Sequence, residues 1–160
     1  MENTRNRPFS CAGLTLIELM VTIAVVAIIA TVAVPGFNQF LQQHRTSNQA
    51  MQLFHSVQYA RTEAIRQNSP VRLSAHNAGW CVHTGASCTD VTVLREFSAA
   101  SQLQSSTFTG MTFDGRGRRT SPATNDLQIR FQPKTCKGSA ASLVSINPLG
   151  HPTITKGTCL

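Results

Sequence analysis

The sequence predicts an α+β protein: one long N-terminal helix, membrane-spanning in its first half, packed on an antiparallel β-sheet domain. Three observations carry that expectation. An apolar run from Leu14 to Val34 is long enough to cross a bilayer, for which about 20 apolar residues suffice. A helical-period apolar stripe follows without a break and ends near Gln67. Beyond Pro70 the pattern changes to short alternating runs separated by turn residues.

The apolar run carries one carboxylate, Glu18, near its start, behind a short polar segment that ends in Gly13. A charge at membrane depth costs roughly 2.5–3.5 kcal/mol even on lenient insertion scales, so a carboxylate there has a task and a partner. Arg5 and Arg7 precede the run, and positive charge on that side keeps the leader in the cytoplasm and sends the remainder across. A secretory signal would place its cleavage site after the apolar run. Here the candidate site precedes it, so the span stays in the mature chain. Cys11 has no apolar region before it, which excludes a lipoprotein signal.

A polar leader ending in Gly13, followed by Leu14-Thr15-Leu16-Ile17-Glu18-Leu19, resembles the N-terminus of a type IV prepilin. The resemblance implies cleavage between Gly13 and Leu14 by a prepilin peptidase, methylation of the new terminus, and pairing of Glu18 with the terminal amine of a neighbouring subunit. The family usually begins its mature chain with Phe, and this one begins with Leu14.

Pro35-Gly36 closes the apolar run. A proline inside a helix removes one backbone bond and clashes with the preceding turn, so a kink is expected there. The helical pattern resumes at once. Phe37, Phe40, Leu41, Ala50, Leu53, Phe54, Val57, Ala60, Ala64 and Ile65 form its apolar stripe, with Arg61, Glu63 and Arg66 on the solvated face. Asn68-Ser69-Pro70 ends it. A helix from Leu14 to Gln67 would run about 80 Å at ~1.5 Å per residue.

The segment Ser56-Val57-Gln58-Tyr59-Ala60-Arg61-Thr62-Glu63-Ala64-Ile65-Arg66 narrows the resemblance to the GspH/FimT family of minor pilins and pseudopilins. Residues 1–13 are then the leader, 14–67 the helix with 14–36 as its membrane and assembly segment, and 68–160 the β-rich domain. The resemblance implies a type IV pilin-like fold and a structural role. The chain would prime pilus assembly within a minor-pilin complex at the fibre tip, supporting twitching, adhesion or uptake. Its partners would be other minor pilins, the major pilin and an inner-membrane assembly platform. Before assembly the globular domain would face the periplasm. A minor pseudopilin of a type II secretion system shares all of these residues.

Strands are expected at Val71–Ser74, Gly79–Val82, Val91–Phe97, Thr107–Phe113, Leu127–Phe131, Ser142–Ile146 and Thr153–Thr155, packed as a sheet on the helix. Five cysteines are an odd number, but removal of the leader takes Cys11 and leaves Cys81, Cys88, Cys136 and Cys159. An even set in an exported chain points to disulfides. Local order favours Cys81–Cys88 and Cys136–Cys159 among three connectivities. Zinc is the rival reading, and neither pair shows the short C-x-x-C spacing of structural sites. His83 lies near Cys81 and Cys88, which a surface loop closed by a disulfide explains. No metal or cofactor is expected.

The five histidines are scattered, and no nucleophile elbow, phosphate loop or carboxylate pair is present, which argues against an enzyme. The net charge of +7 permits an anionic partner without requiring one. Arg116, Arg118 and Arg119 share a glycine-rich turn and are candidate DNA contacts, since arginines neutralise phosphates that a glycine backbone can approach. Some members of the family bind DNA for uptake through a C-terminal Gly-Arg-x-Arg motif. The matching stretch here, Gly150-His151-Pro152-Thr153, keeps the glycine and lacks both arginines. A solvated basic hairpin is the plainer reading of Arg116, Arg118 and Arg119.

Overall fold

The structure, a computed structural model, describes residues 13, 15–77, 79–89, 91–99, 103–105, 108–123, 125–136, 138 and 140–159. Most of the leader, and Leu14 of the candidate cleavage site, lie outside the described residues. The chain divides into two compact units, Met1–Asn38 and Gln39–Leu160.

In the first unit, the helix α1 (Leu16–Gln67) opens on a threonine N-cap. Thr15 Oγ1 accepts a hydrogen bond from the Glu18 N–H at 3.3 Å, and the Glu18 carboxylate sits in the first turn, where the helix dipole favours it. The large apolar side chains that follow, from Leu16 to Val34, are exposed. Two hydroxyls lie among them, and both bond back to the helix. Thr22 donates to the Leu19 carbonyl at 2.8 Å and Thr31 to that of Ile28 at 2.7 Å. Both hydroxyls are therefore satisfied within the helix, as a lipid environment demands. The helix runs through Pro35 rather than stopping there.

In the second unit, α1 ends in a Schellman arrangement. Asn68 takes the left-handed conformation (φ 47°), its N–H donates to the Ile65 carbonyl, and the Ser69 N–H reaches back to that of Ala64, both at 3.2 Å. Among the described residues nine strands follow, all paired antiparallel: β1 (Val71–His76), β2 (Gly79–His83), β3 (Val93–Ser98), β4 (Leu103–Ser105), β5 (Gly110–Phe113), β6 (Arg119–Ser121), β7 (Leu127–Pro133), β8 (Ala141–Ile146) and β9 (Pro152–Gly157). They form two sheets where the sequence suggested one. The first has the order β3-β2-β1-β5-β6 and the second β4-β7-β8-β9.

One core joins α1 to both sheets. Ala50, Leu53, Val57, Ala60 and Ala64 meet Val71, Leu73, Trp80, Val82, Met111 and Phe113 of the first sheet and Ile129, Phe131, Val144 and Ile146 of the second. The three alanines let the strands approach the helix axis closely. Two hydrogen bonds pin the helix at separate levels: Thr46 Oγ1 donates to the Ala140 carbonyl at 2.9 Å, and Trp80 Nε1 donates to Ser56 Oγ at 2.7 Å. The stripe is shorter than expected, because Phe37, Phe40 and Ile65 are exposed. Glu63, expected on the solvated face, is buried.

Candidate functional site

The expected assembly residues gather at the N-terminal end of α1. Gly13 and Glu18 are both exposed, and the helix that follows is long and apolar enough to cross a membrane, with a mean hydropathy of 2.6 over its most apolar window. Thr15, not among the expected assembly residues, is the cap that starts this helix. The signal was present as Thr15-Leu16-Ile17-Glu18, a hydroxyl followed three residues later by a carboxylate.

The four cysteines of the domain form Cys81–Cys88, with Cα atoms 6.0 Å apart, and Cys136–Cys159, with Cα atoms 5.6 Å apart. The second ties the end of the chain beside the β7–β8 connection, where the Cys159 N–H also donates to the Gly138 carbonyl at 3.0 Å. The first is no surface closure. Cys81 and His83 on β2 are fully buried, and Cys88 nearly so.

The basic turn between β5 and β6 is organised by Asp114. Its Oδ1 accepts from the backbone N–H groups of Arg116 at 3.0 Å and Arg118 at 2.8 Å, and its Oδ2 pairs with the Arg118 guanidinium at 3.0 Å. The backbone donor of Arg118, more than its charge, holds the Asp114 carboxyl below the usual carboxylate range. Arg119 corrects the sequence reading. Its side chain is buried and donates to the carbonyls of Pro122 and Asn125, so it braces the neighbouring loop instead of facing solvent. Burial lowers its pKa from the ordinary arginine value. Strand alternation explains the inversion: Arg118 and Thr120 point outward, so Arg119 between them points in.

The same turn meets the one that contains Gly150 and His151. The Arg119 N–H donates to the Pro148 carbonyl at 3.1 Å, and a Cβ on Gly150 would lie 2.5 Å from the Gly117 carbonyl oxygen. Arg61 of α1 donates through Nε to that Gly117 oxygen at 3.0 Å, and its Nη2 lies 3.5 Å from His151 Nε2. Sequence separation hid this junction, which brings together residues 61, 117 and 151. Among the described residues these elements build no catalytic constellation.

A family model described as type II transport protein GspH matches residues 49–150, and a prokaryotic N-terminal methylation motif matches residues 9–34. The chain belongs to the GspH family. Its members are structural components of pili and pseudopili, which fits an absence of catalytic machinery in the sequence pattern. Two crystal structures of the type IV minor pilin FimU from Pseudomonas aeruginosa share this GspH-type fold. One has a TM-score of 0.60 at 20% identity, covering 76% of this chain and 99% of that one. The other has a TM-score of 0.57 at 20% identity, covering 71% and 99%. No curated protein sequence matches the chain.

Proposed function

We propose that this chain is a minor pilin, cleaved between Gly13 and Leu14 by a prepilin peptidase and methylated at its new terminus. The observation that carries the reading is the junction of the methylation motif, over residues 9–34, with a GspH domain on one helix. The apolar half of α1 stores the subunit in the inner membrane with its domain in the periplasm. During assembly the same apolar side chains leave lipid for a bundle of equivalent helices, where Glu18 meets the terminal amine of a neighbour. That exchange replaces one apolar surrounding by another, and the carboxylate gains a cation. The subunit joins a complex of minor pilins that primes the fibre and sits at its tip. The FimU likeness in fold supports this placement.

A minor pseudopilin of a type II secretion system is the second reading, favoured by the description of the matching family model. Deletion of the gene separates the two. Loss of surface pili with exoenzyme secretion intact supports the pilin, and the reverse phenotype supports the pseudopilin and overturns the first reading.

A role as DNA receptor has weaker geometric support. Arg119 is buried, and the exposed Arg118 is paired with Asp114.

A further inference from the structure

Cys81, His83 and Cys88 are the one group of potential metal ligands that comes together among the described residues. Their ligand atoms lie within 4.8 Å of one another, and all three residues are buried. In the disulfide both sulfurs are bonded to each other and unavailable. Reduction changes what the cluster can do.

The imidazole is already set up as a ligand. His83 Nδ1 lies 3.1 Å from the Gly85 carbonyl oxygen, which can only accept, so this nitrogen carries the proton. Nε2 then has the lone pair and accepts from the Ser74 hydroxyl at 2.9 Å. A ring whose second nitrogen donates to a backbone carbonyl is the usual supporting arrangement of a metal-bound histidine. The Ser74 hydroxyl is a rotor that can turn aside. Ser74 is also the cross-strand partner of Cys81, and its carbonyl oxygen lies 3.8 Å from Cys88 Sγ, so all these atoms surround one point on the sheet. Arg72 donates to the same Gly85 carbonyl at 2.8 Å, which fixes the loop that carries it.

We infer that the reduced chain binds one Zn²⁺ through Cys81, His83 and Cys88, and that metal and disulfide are alternative closures of the same loop. The inference is independent of which fibre the subunit joins. A dithiol reductant opens the bond by exchange: Cys81 and Cys88 gain two electrons and two protons, and the dithiol closes to its own disulfide. Zn²⁺ then forms two Zn–S bonds and one Zn–N bond and releases the two thiol protons. Zn–S distances of about 2.3 Å and Zn–N of about 2.0–2.1 Å require only small side-chain rotations from a cluster this tight. Water or the Ser74 hydroxyl completes the tetrahedron.

The test uses the full chain in detergent, reduced with a dithiol that is then removed without oxygen. Calorimetric titration with Zn²⁺ should show one site, and Co²⁺ in its place should give the intense visible bands of tetrahedral thiolate ligation. The oxidised chain should show neither. Cys88→Ser should abolish the signal, His83→Ala should weaken binding at least about tenfold, and a Cys136→Ser, Cys159→Ser double variant should retain it. If reduction unfolds the domain, Zn²⁺ should restore its circular dichroism. The inference is overturned by a reduced, folded chain that takes no metal, by an unfolded one that Zn²⁺ does not restore, or by a Co²⁺ spectrum unchanged in His83→Ala.

Discussion

Arg61 Nε donates to the carbonyl oxygen of Gly117 at 3.0 Å, so the C-terminal part of α1 grips the β5–β6 turn by its backbone. A cation on the helix thus orders a turn that itself carries three arginines. It does so without an ion pair, through the carbonyl dipole, and the turn's own charge is handled by Asp114.

Arg61→Ala removes a charge-assisted hydrogen bond and should lower domain stability by about 1–2 kcal/mol. Thermal unfolding followed by Trp80 fluorescence measures it. Arg61→Gln, which keeps a donor, should recover part of the loss.

Gly150 has φ +79°, and a Cβ there would meet the Gly117 oxygen at 2.5 Å and the Phe113 ring at 3.1 Å. Strain and collision act together, so Gly150→Ala should cost at least about 2 kcal/mol. Gly138, also at positive φ but with open space around it, should lose less on the same change. Denaturant midpoints of the two variants give the comparison.

Ser56→Ala leaves the buried Trp80 indole N–H without its acceptor, at a cost of about 1–3 kcal/mol. The chain has one tryptophan, so its emission reports the site directly. A blue shift of Trp80 emission accompanied by a lower unfolding temperature is the expected result.

Glu63 should make stability depend on acid. Its pKa is lowered to about 2, first by the hydrogen bond from Arg66 and then by that from Gln67, against an ordinary value of 4.5. A carboxylate depressed in the folded state stabilises it above the unfolded pKa and loses that contribution as pH falls from about 4.5 toward 2. Asp114, also depressed, acts in the same direction. Glu63→Gln should flatten the acid limb of a plot of unfolding temperature against pH, while leaving Asp114's share.

The long elements were legible in the sequence because their periodicity is strong. The helix expected to end at Gln67 ends there, and seven strands lie where alternation placed them, within a few residues. The two strands that were missed, β4 and β6, have three residues each, too few for a period to show. Their existence is decided by the partners β7 and β5. The division into two sheets depends on which strands pair across long separations, and local pattern does not carry that. Gly13 and Glu18 were expected from their place at the head of one apolar run, and both are exposed. Arg119 was misplaced because a run of three arginines with intervening glycine reads as solvated, whereas strand phase turned one of them inward. Glu63 was misread for a related reason. Its pairing with Arg66 and Gln67 lets a carboxylate occupy a buried position that composition assigns to water.

Processing at the Gly13–Leu14 bond is tested most directly by the intact mass of the chain recovered from cells that contain a prepilin peptidase. The expected mature protein begins at Leu14 and carries one added methyl group, with Gly13→Ala accumulating the full-length chain. A native chain that keeps its leader in peptidase-containing cells, or one cut after the apolar run, would contradict it.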